Sequence, residues 1–215
     1  MLELPIFPTL ESARLAVADC RACARFATRD QAVFGFGNPD AALMLVGEAP
    51  SPTDNTTGKP FTGPAGKLLD TILEEVGLHR RDLWITNLVR CFDGALKNGR
   101  MENRPARAGE VKACRTWLDL ERRYVNPKVI LAIGAPAARH LIGPDFRLQH
   151  QHGELIPLAE GSLAIATIQP AYVMRLATIN PDAQPAARAQ LVADIRIAAH
   201  AAGLVTIGNP TRSGR

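Results

Sequence analysis

Hydrophobic positions along the chain follow two rhythms. Four short runs are apolar almost without interruption: Ala42-Leu43-Met44-Leu45-Val46, Leu83-Trp84-Ile85-Thr86-Asn87-Leu88-Val89, Val129-Ile130-Leu131-Ala132-Ile133 and Leu163-Ala164-Ile165-Ala166-Thr167-Ile168. Runs of that length without alternation predict strands covered on both faces. Between them the spacing turns helical. Leu10, Ala13, Leu15, Ala16 and Val17 predict a helix over 9–24. Pro64 opens a second helix, Leu68, Leu69, Ile72 and Leu73 form its inner face, and Gly77 closes it. Further helices are predicted over Glu110–Arg123, with Val111, Trp117, Leu118 and Leu120 inward, over Ala135–Leu141, and over about 185–201.

Strands alternating with helices predict an α/β fold, a three-layer αβα sandwich around a central four-stranded parallel sheet. Two connections stay polar: 48–63, rich in Pro, Thr and Gly, and 92–107, an irregular basic loop. Phe146, Leu148 and Leu155 predict short extended pieces. The expected organisation is one domain over 1–203 and a flexible tail over 204–215. Ligands of such folds bind beyond the carboxyl ends of the strands. Three of the runs lead straight into Glu48, Asn87 and Gln169, so these side chains are expected to meet in one crevice.

Composition narrows the class. The opening stretch MLELPIFPTLESARL lacks both a basic and an apolar signal region, and no apolar run reaches membrane-span length. A soluble, cytoplasmic protein without membrane contact is expected. The net charge of +4 suits an anionic partner but does not identify one. The cysteines say more. Cys20 and Cys23 form a Cys-x-x-Cys pair, and Cys91 and Cys114 complete a set of four with none left over. That set suits a Cys₄ zinc or iron–sulfur centre. Two disulfides, or four thiols packed as small hydrophobes, are the alternatives, and an intracellular setting disfavours disulfides.

An ordered set of motifs adds a family resemblance. Gly47-Glu48-Ala49-Pro50, Gly58-Lys59-Pro60-Phe61, Gly63-Pro64-Ala65-Gly66, Ile85-Thr86-Asn87, the four cysteines and Gln169-Pro170-Ala171-Tyr172-Val173-Met174-Arg175 follow one another along the chain. Together they resemble the uracil-DNA glycosylase superfamily, most closely its iron–sulfur family-4 type, from about residue 15 to 202. The resemblance implies a [4Fe–4S] cluster on Cys20, Cys23, Cys91 and Cys114, with zinc as the alternative. It implies a monomeric repair enzyme that flips uracil, or another deaminated base, out of DNA and hydrolyses its N-glycosidic bond.

The same resemblance distributes roles. Asn87 offers its amide to uracil N3 and O4, although a strand-end Asn also serves turns. Phe61 stacks on the base, with core packing as the alternative. Gly47, Glu48 and the backbone of Ala49 match the loop that binds the base and orients water near the sugar. Tyr172, Val173 and Met174 fill the gap left in DNA, and Arg175 holds a phosphate or the minor-groove edge, unless the segment simply caps a core helix. Lys97, Arg100, Arg104 and Arg107 are phosphate contacts or a solvated basic loop.

Gln169 departs from the pattern, because the superfamily usually carries His-Pro there. Glutamine donates a hydrogen bond but carries no charge, and charge-assisted bonds are about twice as strong. Weakened activity or a shifted base preference is expected. A basic insertion before Cys114, with Asp145-Phe146-Arg147 and Gly153-Glu154, also resembles a subclass that bonds covalently to the abasic sugar through a histidine. Here the insertion holds no histidine, Asn103 falls near the nucleophile's place, and Ala49 stands where that subclass favours glutamine. An amide is no nucleophile here, so covalent trapping is not expected. Two other readings stay open: a relative that binds DNA or damaged bases without excision, and a zinc-stabilised nucleotide-binding protein. His79, His140, His150, His152 and His200 fall in no motif.

Overall fold

A computed structural model of the chain describes residues 7–97 and 99–206, without the side chains of Lys97 and Arg100. Most of the tail expected over 204–215 therefore lies outside the described residues. Helix α1 (Leu10–Val17) starts at a reciprocal cap, in which Thr9 and Ser12 each accept the other's backbone N–H. It stops at Val17, well before 24. The chain then turns through Cys20 and Cys23 into a 3₁₀ turn over Ala24–Ala27.

β1 (Phe36–Gly37) and β2 (Leu43–Gly47) follow. The polar connection after β2 contains a short helix, α2 (Pro52–Thr57), nucleated by a Ser51–Asp54 capping box. α3 (Pro64–Val76) ends at Gly77, whose φ of +87° is the left-handed cap that glycine adopts without strain. After β3 (Trp84–Asn87), the expected irregular loop is instead a hairpin of β4 (Gly94–Lys97) and β5 (Arg100–Asn103). Its apolar members Leu96 and Met101 face each other across the pair but remain exposed, so no buried alternation marked it in the sequence. α4 (Ala108–Val125), β6 (Val129–Ile133) and α5 (Ala135–Leu141) come next. Around Leu148 the chain forms a helical turn, α6 (Leu148–Gln151), rather than an extended piece. β7 (Ile156–Pro157), β8 (Leu163–Thr167), α7 (Pro170–Ile179) and α8 (Gln184–Ala201) complete the order.

The main sheet runs β1-β3-β2-β6-β8-β7. Its four central strands are parallel, as expected, and the two-residue edges β1 and β7 are antiparallel additions. Alternate strand residues feed two cores. Leu43, Leu45, Ile85, Leu131 and Ile165 pack with α3, α7 and α8, while Met44, Val46, Trp84, Ile130 and Ala166 pack with α1, α4 and α5. This double coverage is why the strands read as unbroken apolar runs. No helix among the described residues is long and apolar enough to cross a membrane.

One charged group is wholly enclosed just after the Cys-x-x-Cys pair. Arg25, 0 % exposed, donates from Nε to Glu110 Oε2 at 2.8 Å and from Nη1 to the Cys91 carbonyl at 3.0 Å. Its Nη2 reaches the carbonyls of Arg104 and Pro105 at 3.1 and 3.2 Å. A single guanidinium thus ties the N-terminal segment to the far end of the hairpin. Hydrogen bonding from Arg104, aided by Arg25 and the Arg107 N–H, holds the Glu110 carboxyl far below its ordinary value of 4.5. A carboxylate depressed in the fold stabilises it above its unfolded pKa, and that contribution fades as pH falls below about 4.5. Glu110→Gln should therefore cost about 3 kcal/mol at pH 7 and less near pH 3, where the folded carboxylate is still ionised but the unfolded one is protonated. Urea midpoints at the two pH values measure this, and an equal loss at both would show that the charge is not what stabilises.

Candidate active site and cysteine recess

Parallel pairing of β2 with β3 sets Gly47 directly opposite Asn87 at the carboxyl edge of the sheet. A Cβ on Gly47 would stand 2.5 Å from Asn87 Oδ1 and 2.6 Å from Phe61 Cζ. The absent side chain is therefore what allows an amide and an aromatic ring to come together at this point. Asn87 is 2 % exposed, and its Nδ2 has no hydrogen-bond partner among the described residues. Leaving a buried donor unpaired costs about 1–3 kcal/mol, and Asn87 Nδ2 shares that state with Thr86 Oγ1 and with Nε and Nη2 of Arg90. Beyond the strand ends, Leu88 N bonds Gly47 O at 2.9 Å and Val89 N bonds Glu48 O at 3.1 Å, which extends the pinning into the loops.

Phe61 is held against its own preference. Its φ of +56° is left-handed, a sparsely populated region for an aromatic residue. Arg80 makes the conformation persist, donating to the carbonyls of Pro60, at 3.0 Å, and Phe61 while paired with Asp70. Asp54 Oδ1 accepts from Thr62 N and Oγ1 at 2.6 and 2.8 Å. Gly66 completes the fit, since a Cβ there would lie 1.7 Å from the Phe61 carbonyl oxygen.

Glu48 and Gln169 follow the carboxyl ends of β2 and β8, and the groove beside Glu48 is lined by neither Asn87, Phe61 nor Gln169. Glu48 Oε1 accepts the Ala106 N–H at 2.9 Å, and the carboxylate borders a groove of about 500 Å³ that Lys112, Arg115, Arg139 and His140 also line. Burial and the Arg115 charge pull His140 below its ordinary value. Gln169 lies over Gly134, where a Cβ would be 2.6 Å from its Cγ and 2.7 Å from its Nε2. Asn103, near the place of the subclass nucleophile, donates from Nδ2 to the Pro50 carbonyl at 3.0 Å and so fastens the hairpin to the Gly-Glu-Ala-Pro loop.

Several expected contacts resolve differently. The residues after Gln169 form α7, and Val173, 0 % exposed, belongs to the core rather than to a DNA-facing surface. Tyr172, Met174 and Arg175 are exposed. Arg104 is committed to Asp93 and Glu110, so its guanidinium fastens the loop instead of standing free for phosphate. Arg107 is exposed at the start of α4, and the side chains of Lys97 and Arg100 lie outside the described residues. One pairing had no signal in the sequence: His152 Nδ1 lies 3.0 Å from Asp194, a buried carboxylate that also accepts from Thr167 Oγ1 at 2.7 Å. Burial raises the Asp194 carboxyl, against the hydrogen bonds from Thr167 and His152.

All four cysteines line one small recess, together with Phe26, Arg29 and Arg90. Three of the sulfurs accept N–H donors: Cys91 from Arg29 Nη1 at 3.0 Å, Cys114 from Arg90 N at 3.2 Å, and Cys20 from Trp117 Nε1 at 3.4 Å. Burial pushes the Cys114 thiol up to about 12 and raises Cys91, so these sulfurs are protonated unless a metal takes the proton's place. Among the described residues, no three His, Cys, Asp or Glu side chains are disposed around a single metal ion.

The model of the Uracil DNA glycosylase superfamily matches residues 34–196, a span that holds the whole carboxyl edge. The chain belongs to this superfamily. Among its glycosylase relatives, the type-4 uracil-DNA glycosylase of Thermotoga maritima is 34 % identical over 74 % of this chain and 80 % of its own. That of Saccharolobus solfataricus is 32 % identical over 84 % of this chain and 80 % of its own. A type-5 uracil-DNA glycosylase from Thermus thermophilus is 31 % identical over 62 % of this chain and 66 % of its own. For the superfamily site in this chain, Arg80→Met should speed amide hydrogen exchange across residues 58–66 by about tenfold or more and leave β2 and β6 protected. Unchanged exchange in that loop would show that Arg80 does not hold Phe61.

Proposed function

We propose that the protein is a DNA glycosylase that hydrolyses the N-glycosidic bond of uracil in DNA. The observation that carries this reading is the slot at Gly47, where the buried, unpartnered Asn87 amide meets the Phe61 ring. Uracil presents N3–H as a donor beside O4 as an acceptor. Asn87 Oδ1 accepts from N3–H while Nδ2 donates to O4, whereas cytosine offers the reverse pattern. Phe61 supplies a flat apolar wall for the base. A base reaches such a slot only after leaving the helix, and Tyr172, Met174 and Arg175, exposed beside Gln169, are suited to the DNA it leaves.

In the reaction a water oxygen bonds to C1′ as the C1′–N1 bond breaks. The bond's electron pair leaves on the base as an anion shared with O2, and the water loses a proton. Glu48 serves as the carboxylate that orients the water and receives this proton, its other oxygen fixed by the Ala106 N–H. Gln169 Nε2 serves as the donor to O2, a neutral replacement for the usual histidine. The donor is present but uncharged, so a slower enzyme is expected rather than an inactive one.

The cysteine recess fits a [4Fe–4S] cluster. Its donors are four thiols of one kind around one recess, a set that a [4Fe–4S] cluster or a tetrahedral zinc takes, and the resemblance to the iron–sulfur type decides for the cluster. Cys20, Cys23, Cys91 and Cys114 would hold it, and when bound it supplies cross-linking of the N-terminal segment to the sheet rim, not a step at C1′. The enzyme is proposed to act as a cytoplasmic monomer.

Uracil-containing DNA, incubated with the protein and then treated with alkali, should break at the uracil. Asn87→Ala should slow excision by on the order of 10²-fold or more, and Gln169→His should raise it. Binding of uracil-DNA without breaks would favour the non-excising relative. Purified protein should be brown, absorb at about 400 nm and carry about four irons and four sulfides per chain. A colourless protein with one zinc would replace the cluster by the zinc reading.

A further inference from the structure

Arg90 connects the cysteine recess to the base slot. It follows Asn87 by three positions and is 1 % exposed. Its backbone N–H donates to Cys114 Sγ at 3.2 Å, and its own carbonyl accepts from Val33 N at 2.7 Å. The side chain then doubles back, and Nη1 donates to the Asn87 carbonyl oxygen. Nη2 lies 3.2 Å from Glu121 Oε2, on a carboxylate that is 0 % exposed. Glu121 is itself fixed by the Gly35 N–H at 2.9 Å and by Trp84 Nε1 at 3.3 Å, and Phe34 flanks the guanidinium at 5.8 Å.

Stability alone gives little reason for this arrangement. A buried ion pair is often matched or bettered by apolar side chains of similar volume. What apolar side chains cannot provide is a donor to the Asn87 carbonyl. That bond fixes the plane of the peptide that follows Asn87, and with it the direction from which the Asn87 amide enters the slot. Leu88 N and Val89 N hold the same stretch from the β2 side, so Arg90 is the fastening on the side of the cysteines.

We propose that Arg90 is a positioning residue for base recognition: anchored at its N–H by Cys114 and at its side chain by Glu121, it sets the orientation in which Asn87 selects uracil. The proposal rests on the uracil reading of the slot. Removing the guanidinium should therefore lower selectivity, and not merely stability.

The test is the charge-neutral pair Arg90→Met with Glu121→Gln, which leaves no lone buried charge, made in wild-type and Asn87→Ala backgrounds. In the wild-type background, single-turnover excision of uracil should fall on the order of 10–100-fold. The preference for DNA holding non-hydrolysable 2′-fluorodeoxyuridine over the same DNA holding deoxycytidine should fall about tenfold. Absorbance at about 400 nm should persist. In the Asn87→Ala background the same pair should cost less than about threefold, because the residue it positions is gone. Arg90→Lys, which keeps a charged donor, should restore most of the selectivity. If the double variant does not fold, Glu121→Gln alone should reproduce the loss of selectivity in smaller measure. A full additive loss in the Asn87→Ala background, or a uracil preference unchanged in the folded variants, overturns the proposal. If wild-type protein prefers uracil in binding but never excises it, the catalytic reading fails while the binding arm still decides the role of Arg90.

Discussion

The parallel ladder between β2 and β3 brings Gly47 and Asn87 to one level, and the lack of a side chain at residue 47 lets the Asn87 amide and the Phe61 ring close in on it. The rest of the carboxyl edge is built around this close approach. Phe61 can reach it only from a loop bent into a left-handed turn, and that turn exists because Arg80, Asp54 and Gly66 leave it no alternative. Asn87 keeps its amide unpaired because the backbone on both sides of it is already bonded. The recognition proposed above thus stands on strand ends and fixed loops, where positions hold better than on a free loop.

Charge is handled in the interior with equal economy of parts. Arg25 and Arg90 are both enclosed, both reach backbone carbonyls, and each has one carboxylate partner on α4. Arg25 closes the outer loop around the cysteines, and Arg90 faces inward to the slot. Arg29 and Arg90 also place N–H groups on two of the sulfurs, which suits ligands that carry negative charge once deprotonated. The insertion before Cys114, which looked like a basic arm for DNA, is fastened inward through Arg104 and Asn103.

Much of the fold was legible because both faces of the sheet are buried. Residues 129–133 and 135–141 were bounded correctly from apolar runs and from Gly134 alone, and the other central strands were off by at most two residues at their ends. The hairpin was not legible, since Leu96 and Met101 pair in solvent and give no inward–outward contrast. Val173 was misread for a related reason: a bulky apolar residue near a strand end looks the same whether it faces DNA or the core. The strand-end placing of Glu48, Asn87 and Gln169 came from the runs themselves. Phe61 entered through motif resemblance alone. The links through Arg80, Arg90, and His152 with Asp194 join residues whose meeting depends on tertiary packing, and no local spacing announces them.

The cysteine recess also imposes an order on biosynthesis. Its first two thiols belong to the N-terminal segment, while Cys114 lies within α4, on the far side of β2, α3 and β3 in the chain. At ordinary rates of translation the earlier pair waits roughly 5–20 s for its last companion to be made. Until Cys91 is made, which takes most of that interval, the Cys-x-x-Cys turn has neither Arg25's partners nor the other two sulfurs. The half of the cysteine set that is made earlier is therefore among the last parts to be secured, so a nascent chain passes through a stage in which paired thiols wait with nothing yet to bind.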